Sequence, residues 1–417
     1  MATPGLSARH SRPRRAASIA TITALAACLA VASTTVAADF APKLVLHRNP
    51  PGLPLVVSNI ATQDHDIAVT WTDTPNPGTI NQYSWMRWST DGGQTFAPRL
   101  ALNNGAGAVS TKAAICGGYV WVLTSIQTDP QTMSFALDAQ QLGGPAHVLS
   151  SFDKNVSVAV TSEVTALDSD FACAGDKLLA ATWTDPSTSP ARMKVGIRPL
   201  WPCAQNPGPG CDPGPSYTFD LGQKRLHEGS YIAATDNAIY TAWIKDNGDM
   251  RFERFSAAAD GTVTAHPVVT LLHSTAAHNP VLGAYGSRVV LAYNYGSEAR
   301  VRISTDWGAS FGPDTVLAPA PGGEPQAGAE SVDVARGGRI LVEIAEGHCI
   351  TCYGIDFSLG FLSTDGGVTW SNTSSHAHVR QIGAFFGAGA TLKIAEAWDQ
   401  SQTGASREKL QFHVGTI

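Results

Sequence analysis

The chain has 417 residues, 43% of them apolar and 15% charged, with 28 basic against 34 acidic side chains. Its first 37 residues hold four of the basic side chains and none of the acidic ones, so the remainder carries 24 basic against 34 acidic groups, a net of −10. That balance argues against nucleic acid and anionic membrane as partners, and no stretch beyond residue 37 is long and apolar enough to span a bilayer.

Taken in order, the chain opens with Arg9, Arg12, Arg14 and Arg15, an Ala-rich apolar stretch from Ala16 to Ala32, and Thr35-Val36-Ala37. A charged start, a short apolar core and small residues at a cut site predict a secretory signal peptide, 1–37, cleaved after Ala37. The mature chain, 38–417, is therefore expected to be a single soluble domain and a monomer, secreted or periplasmic. Leu44-Val45-Leu46-His47 then reads as a strand with no hairpin partner beside it. Seven later runs share one form, each following a Gly, Asp or Asn turn: 66–71, 119–123, 177–183, 238–243, 288–293, 339–344 and 392–398. Their length and apolar content predict seven equivalent strands. Most are preceded by a short strand of small residues, beginning near Ser58, Ser110, Ser169, Ser230, Pro280 or Ser331. Small side chains are what strands crowded around a common axis require.

A sharper repeat lies between these strands. Ser89-Thr90-Asp91-Gly92-Gly93-Gln94-Thr95-Phe96 recurs as Ser304-Thr305-Asp306-Trp307-Gly308-Ala309-Ser310-Phe311 and as Ser363-Thr364-Asp365-Gly366-Gly367-Val368-Thr369-Trp370. Each copy follows an apolar run and closes on an aromatic, so each reads as strand, tight turn, strand. A short Asp side chain accepts backbone N–H groups a few residues on, and glycine supplies the positive φ of a tight reversal.

At these residues the sequence resembles the Asp-box, or BNR, repeat of sialidase-like β-propellers, Ser-x-Asp-x-Gly-x-Thr-Trp. The resemblance implies an all-β propeller in which Asp91, Asp306 and Asp365 are structural turn residues away from the active face. The second copy lies 215 residues after the first and the third 59 after the second. With a blade of about 54 residues, four repeats and then one, the mature chain divides into seven blades. Six, the number in sialidases, is the alternative. The last unit ends at Leu410-Gln411-Phe412-His413-Val414 without an outer strand, so the ring is expected to close with the N-terminal strand Leu44–His47.

In that superfamily the ligand face is built by the loops after each second strand and the loops entering each innermost strand. Projected onto this chain, those loops hold Asp73, His227, Glu228 and His278 as candidate catalytic residues, and Trp71, Asp185, Trp243, Tyr293, Glu330 and Arg380 as candidate ligand contacts. An aromatic beside a carboxylate suits a sugar, offering a flat face to its C–H side and acceptors to its hydroxyls. Periodic tryptophans more often pack between blades, and Asp73 and Asp185 are explained as well by turn capping. Sialidases place an arginine in an Arg-Ile-Pro segment on the first inner strand, whereas the matching place here reads Asn59-Ile60-Ala61. Asparagine lacks the charged fork that holds a carboxylate. The expected partner is thus an extracellular glycan or glycoconjugate other than a standard sialoside, with no cofactor and no metal. The chain is either a glycan-processing hydrolase-type enzyme or lyase, or a non-catalytic binding module.

Six cysteines remain after residue 37, an even number that suits disulfides in an exported chain. Cys203 and Cys211 bracket a Pro/Gly loop and are expected to pair. Cys349 and Cys352 form a C-x-x-C read as a local disulfide, with a redox motif as the alternative. Cys116 and Cys173 are left for each other.

Overall fold

The computed structural model of the chain describes residues 39–49, 55–73, 83–102, 108–129, 132–142, 158–159, 169–200, 217–226, 228–229, 231–258, 262–318, 327–346, 357–377, 379–387, 392–401 and 407–417. These form seven antiparallel sheets arranged as the blades of a β-propeller, the number anticipated from the repeat. Blade 1 runs outward through Leu55–Gln63, Asp66–Asp73, Tyr83–Ser89 and Leu100–Leu102, and the next five follow in chain order, their innermost strands starting at Ala108, Asp170, Tyr231, Ala277 and Ala327. Blade 7 takes Val379–Phe386, Lys393–Ser401 and Arg407–Thr416 from the C-terminal end. Its outer strand is Leu44–Arg48, paired antiparallel with Arg407–Thr416, so the N-terminal strand closes the ring as expected.

All seven anticipated runs form the second strand of a blade. The reason is visible in their burial: every residue of Ala238–Ile244 is buried, because a second strand is covered on both faces by neighbouring blades and so tolerates an unbroken apolar run. Trp71, Trp121, Trp243 and Trp398 are among the largest fully buried side chains. Trp71 packs with Ile382, Ala397 and Phe412, joining blade 1 to blade 7.

The innermost strands are tied to one another by side chains that accept the next blade's backbone N–H. Asn59 Oδ1 accepts from Ala113 N (3.0 Å), one Asp170 oxygen from Ile232 N (3.1 Å) and one Asp333 oxygen from Phe385 N (2.6 Å). Asp399 Oδ2 accepts from Val57 N across the closure (3.1 Å). A bare strand edge beside the axis would leave these donors unpaired, at a cost of about 1–3 kcal/mol each. Asn59 is thus a structural clamp between blades 1 and 2.

The three Ser-Thr-Asp turns close with the same hydrogen bonds. In the first, Ser89 Oγ donates to Asp91 Oδ1 (2.7 Å) and accepts from Gly93 N (2.8 Å), while Thr95 gives its N–H and hydroxyl to the two Asp91 oxygens (2.9 and 2.5 Å). The other two turns repeat this with Ser304, Asp306 and Ser310, and with Ser363, Asp365 and Thr369. The Ser310 hydroxyl holds the Asp306 carboxyl down to about 2, and the Thr369 hydroxyl does the same for Asp365. These turns sit between third and outer strands, at the end of the propeller where first and second strands also turn. Cys116 and Cys173 are disulfide-bonded near that end, linking the inner strands of blades 2 and 3. Cys203, Cys211, Cys349 and Cys352, like the proposed signal segment 1–37, lie outside the described residues. Among the described residues, no helix is long and apolar enough to cross a membrane.

Candidate active site at the loop end of the propeller

A channel of about 260 Å³ runs along the axis, lined by inner-strand residues from all seven blades, among them Asn59, Lys112, Asp170, Tyr231, Glu330 and Asp333. Glu330, an expected ligand residue, is therefore placed on the channel wall. Burial pushes the Asp333 carboxyl up to about 6, partly offset by the N–H groups of Phe385 and Val334. Burial also raises Asp170, against the pull of Lys112, whose Nζ is 3.8 Å away.

A cluster of reactive side chains lies at the opposite end from the Asp turns, where the connection from blade 3 enters blade 4 and blade 5 begins. Glu228 is 4% exposed there, although its neighbours in sequence are polar. Its Oε1 is 2.6 Å from His278 Nδ1 and 3.4 Å from Arg225 Nη1, and its Oε2 accepts the N–H of Asn279 at 2.8 Å. An ionised carboxylate only accepts, so the proton of the neutral imidazole sits on Nδ1 and Nε2 becomes the basic nitrogen. The His278 side chain remains 45% exposed, so the ring is anchored at one edge and open to solvent at the other. Asn279 takes φ +45, a left-handed conformation that Asn tolerates better than most residues.

Three features hold this loop. Arg225 N donates to Ile244 O (2.7 Å), and Arg225 Nη1 reaches Ala277 O (3.3 Å), coupling blade 4 to blade 5. Trp243 Nε1 donates to Gln223 O at 3.2 Å from within the core. Lys224 is fully buried, its ammonium donating to the carbonyls of Glu228 and Arg225. A lysine between Gln223 and Arg225 reads from sequence as a solvated loop residue, and no pattern distinguishes it. Its burial is imposed by the carbonyls that converge on it.

A second pair sits on blade 4 at the same end. Asp249 Oδ1 is 2.5 Å from His273 Nδ1, and the other oxygen is 2.5 Å from Arg251 Nη2. The His273 hydrogen bond, outweighing burial, holds Asp249 down to about 2. With its side chain 73% exposed, His273 is a rim residue.

The other expected site residues part company with this cluster. Asp73 is 3% exposed and accepts from Trp85 Nε1 (2.8 Å), with His47 Nε2 3.2 Å from its other oxygen, so it fastens the N-terminal strand to blade 1. Both of its oxygens are thus engaged where the N-terminal strand meets blade 1. Trp71 and Tyr293 are wholly buried and Trp243 is 1% exposed, all three within the hydrophobic core. The Tyr293 hydroxyl donates to Asp314 at 2.6 Å. Asp185 caps its own turn, accepting from Ser187 N (3.0 Å) and Ser187 Oγ (2.5 Å). Arg380 pairs with Asp399 in the first hairpin of blade 7, with its side chain outside the described residues, as is the whole of His227. Among the described residues, no group of three or more His, Cys, Asp or Glu side chains is placed to hold a metal ion.

No family model matches the sequence. A search of curated proteins found no significant match. Solved structures match only as folds. A Penicillium chrysogenum α-L-arabinanase complexed with arabinobiose is 12% identical with a TM-score of 0.49, covering 90% of this chain and 98% of its own. The phage phi92 endosialidase is 9% identical, TM-score 0.48, covering 91% and 69%. The WD40 domain of Toxoplasma gondii coronin is 12% identical, TM-score 0.47, covering 91% and 88%.

Proposed function

We propose that the chain is an exported propeller of the Asp-box type that processes an extracellular glycan at its loop end, with His278 as general base, Glu228 as the group that orients it and Arg225 beside them. The observation that carries this reading is the 2.6 Å contact between a nearly buried carboxylate and a half-exposed imidazole. That arrangement fixes the tautomer and leaves Nε2 to accept a proton from a bound substrate. Hydrolysis by two carboxyls on opposite sides of a sugar is less well supported, because Asp73 is committed to Trp85 and His47. Proton abstraction next to a uronate carboxylate suits a single base with a guanidinium alongside. His278 Nε2 takes the C5 proton, the electron pair forms the C4–C5 double bond, and the C4–O bond breaks with its oxygen protonated by water. Arg225 contributes a positive charge where the substrate carboxylate gains electron density.

A screen of polyuronates and neutral polysaccharides, read by ultraviolet absorbance of unsaturated ends and by reducing-sugar release, tests the proposal. The expected result is unsaturated product from a polyuronate, lost in Glu228→Gln. Binding without turnover, equal in wild type and variant, would assign the loop end to a recognition module instead.

A further inference from the structure

At the end of the propeller that carries the Asp turns, we infer a second carbohydrate site: Trp307 and Tyr285 form an aromatic platform for a neutral sugar ring, independent of the loop-end site. In the other two turns the residue after Asp is Gly92 or Gly366, with φ of +71 and +83. The middle turn places Trp307 in that role, with φ +63. A bulky side chain is disfavoured in this conformation, so nothing in the turn itself calls for tryptophan. Trp307 is 41% exposed, and Tyr285, on the neighbouring first turn of blade 5, is 49% exposed, so both rings keep a large face open to solvent.

The two rings border a hollow of about 290 Å³ over the channel mouth, which also takes in Gln63, Asp236 and Asn237. On its other side Trp307 borders a second hollow of about 320 Å³, with Arg254 and Ser256. The indole thus stands as a partition, held at its backbone by Trp307 N donating to Ser287 O (2.8 Å) and by Arg254 Nη1 donating to Trp307 O (3.4 Å). Aromatic faces bind the C–H side of a pyranose, while amide and carboxylate groups take its hydroxyls. The volume lies at the small end of ligand sites, roughly 300–1,000 Å³, which fits one or two rings. The first hollow contains a carboxylate from Asp236 and, among its lining residues, no lysine or arginine. The nearest cations, Lys177 and Arg254, are engaged with Asn237 Oδ1 (3.2 Å) and the Trp307 carbonyl (3.4 Å), so Asp236 is the one charged residue in the lining, which favours a neutral ring over a sialic or uronic acid.

The test is saturation-transfer NMR and calorimetry with methyl β-galactoside, methyl α-mannoside and methyl α-fucoside, on wild type, Trp307→Gly, Tyr285→Ala and Glu228→Gln. Trp307→Gly restores the residue type of the other two turns, so its Tm is expected to hold or rise by a few degrees. At least one of the sugars should bind wild type and Glu228→Gln equally and bind Trp307→Gly and Tyr285→Ala tenfold or more weakly. Binding unchanged in Trp307→Gly, or no binding of any of the three sugars by wild type, would overturn the inference. Loss of binding in Glu228→Gln alone would place the sugar at the loop end and overturn it as well.

Discussion

The two ends of this propeller use acidic residues in opposite ways. At the turn end, Asp91, Asp306 and Asp365 face solvent, and all their bonds run within a span of seven residues, from the Ser before to the Ser or Thr after. At the loop end Glu228 is nearly buried, and its partners His278 and Asn279 lie some 50 residues further along the chain. A local motif that satisfies itself repeats from blade to blade, whereas a constellation assembled from different blades occurs once. Repetition therefore marks what builds the fold, and the break in repetition is where we place the proposed chemistry.

That contrast can be broken most severely through Trp71. If it is core, Trp71→Ala should lower stability by about 3–5 kcal/mol, read by denaturant unfolding, because a fully buried indole leaves a cavity between blades 1 and 7. A ligand contact would instead lose affinity at unchanged stability. Removing the disulfide with Cys116→Ser should cost about 3–4 kcal/mol, as expected for a closed loop of 57 residues. Activity per folded molecule should stay the same, since the bond lies near the turn end.

Asp365→Ala removes acceptors for four donors in an exposed turn, Ser363 Oγ, Val368 N, Thr369 N and Thr369 Oγ1. Solvent replaces part of what is lost, so a fall of about 1–2 kcal/mol is expected, again with no effect on turnover. The same carboxyl sharpens the comparison through pH. Its folded value is depressed, so its stabilisation is present above about pH 4 and is lost as pH falls towards 2. Acid unfolding followed by circular dichroism should therefore shift less in Asp365→Asn than in wild type.

The smallest effect expected is a gain. Asp333 has a raised carboxyl, so its penalty is absent below about pH 4, grows as pH rises towards 6 and is complete above. Asp333→Asn keeps an acceptor for Phe385 N and removes the charge, at the cost of turning its amide N–H₂ towards Val334 N, which offsets part of the gain. Because the side chain lines the channel and is only half-buried, about 1 kcal/mol of stabilisation at pH 7 is expected, vanishing at pH 4.

The blade number, the seven second strands and the closing strand were all legible in the sequence, because each follows from a periodicity that local physics enforces. The candidate site was legible only in part. Glu228 and His278 were identifiable as loop residues on one face, but their 2.6 Å contact depends on a bulge in the blade 5 inner strand, between His278 and Val281, and on the buried Lys224. Neither leaves a pattern in sequence. Asp73 shows the converse limit: an acid after a tryptophan at the end of a second strand looks the same whether it faces a ligand or, as here, holds Trp85 and His47.

The proposal that chemistry resides at the loop end is tested most directly by Glu228→Gln, measured for turnover of a polyuronate and for Tm in the same preparation. The amide oxygen still accepts from Asn279 N, but the amide N–H₂ now faces His278 Nδ1 and favours the tautomer with its proton on Nε2, where the base should be. Turnover is expected to fall by about 10²–10⁴-fold with Tm within a few degrees of wild type. Turnover unaltered in Glu228→Gln, or a wild-type protein that neither binds nor cleaves any polyuronate, would contradict the assignment.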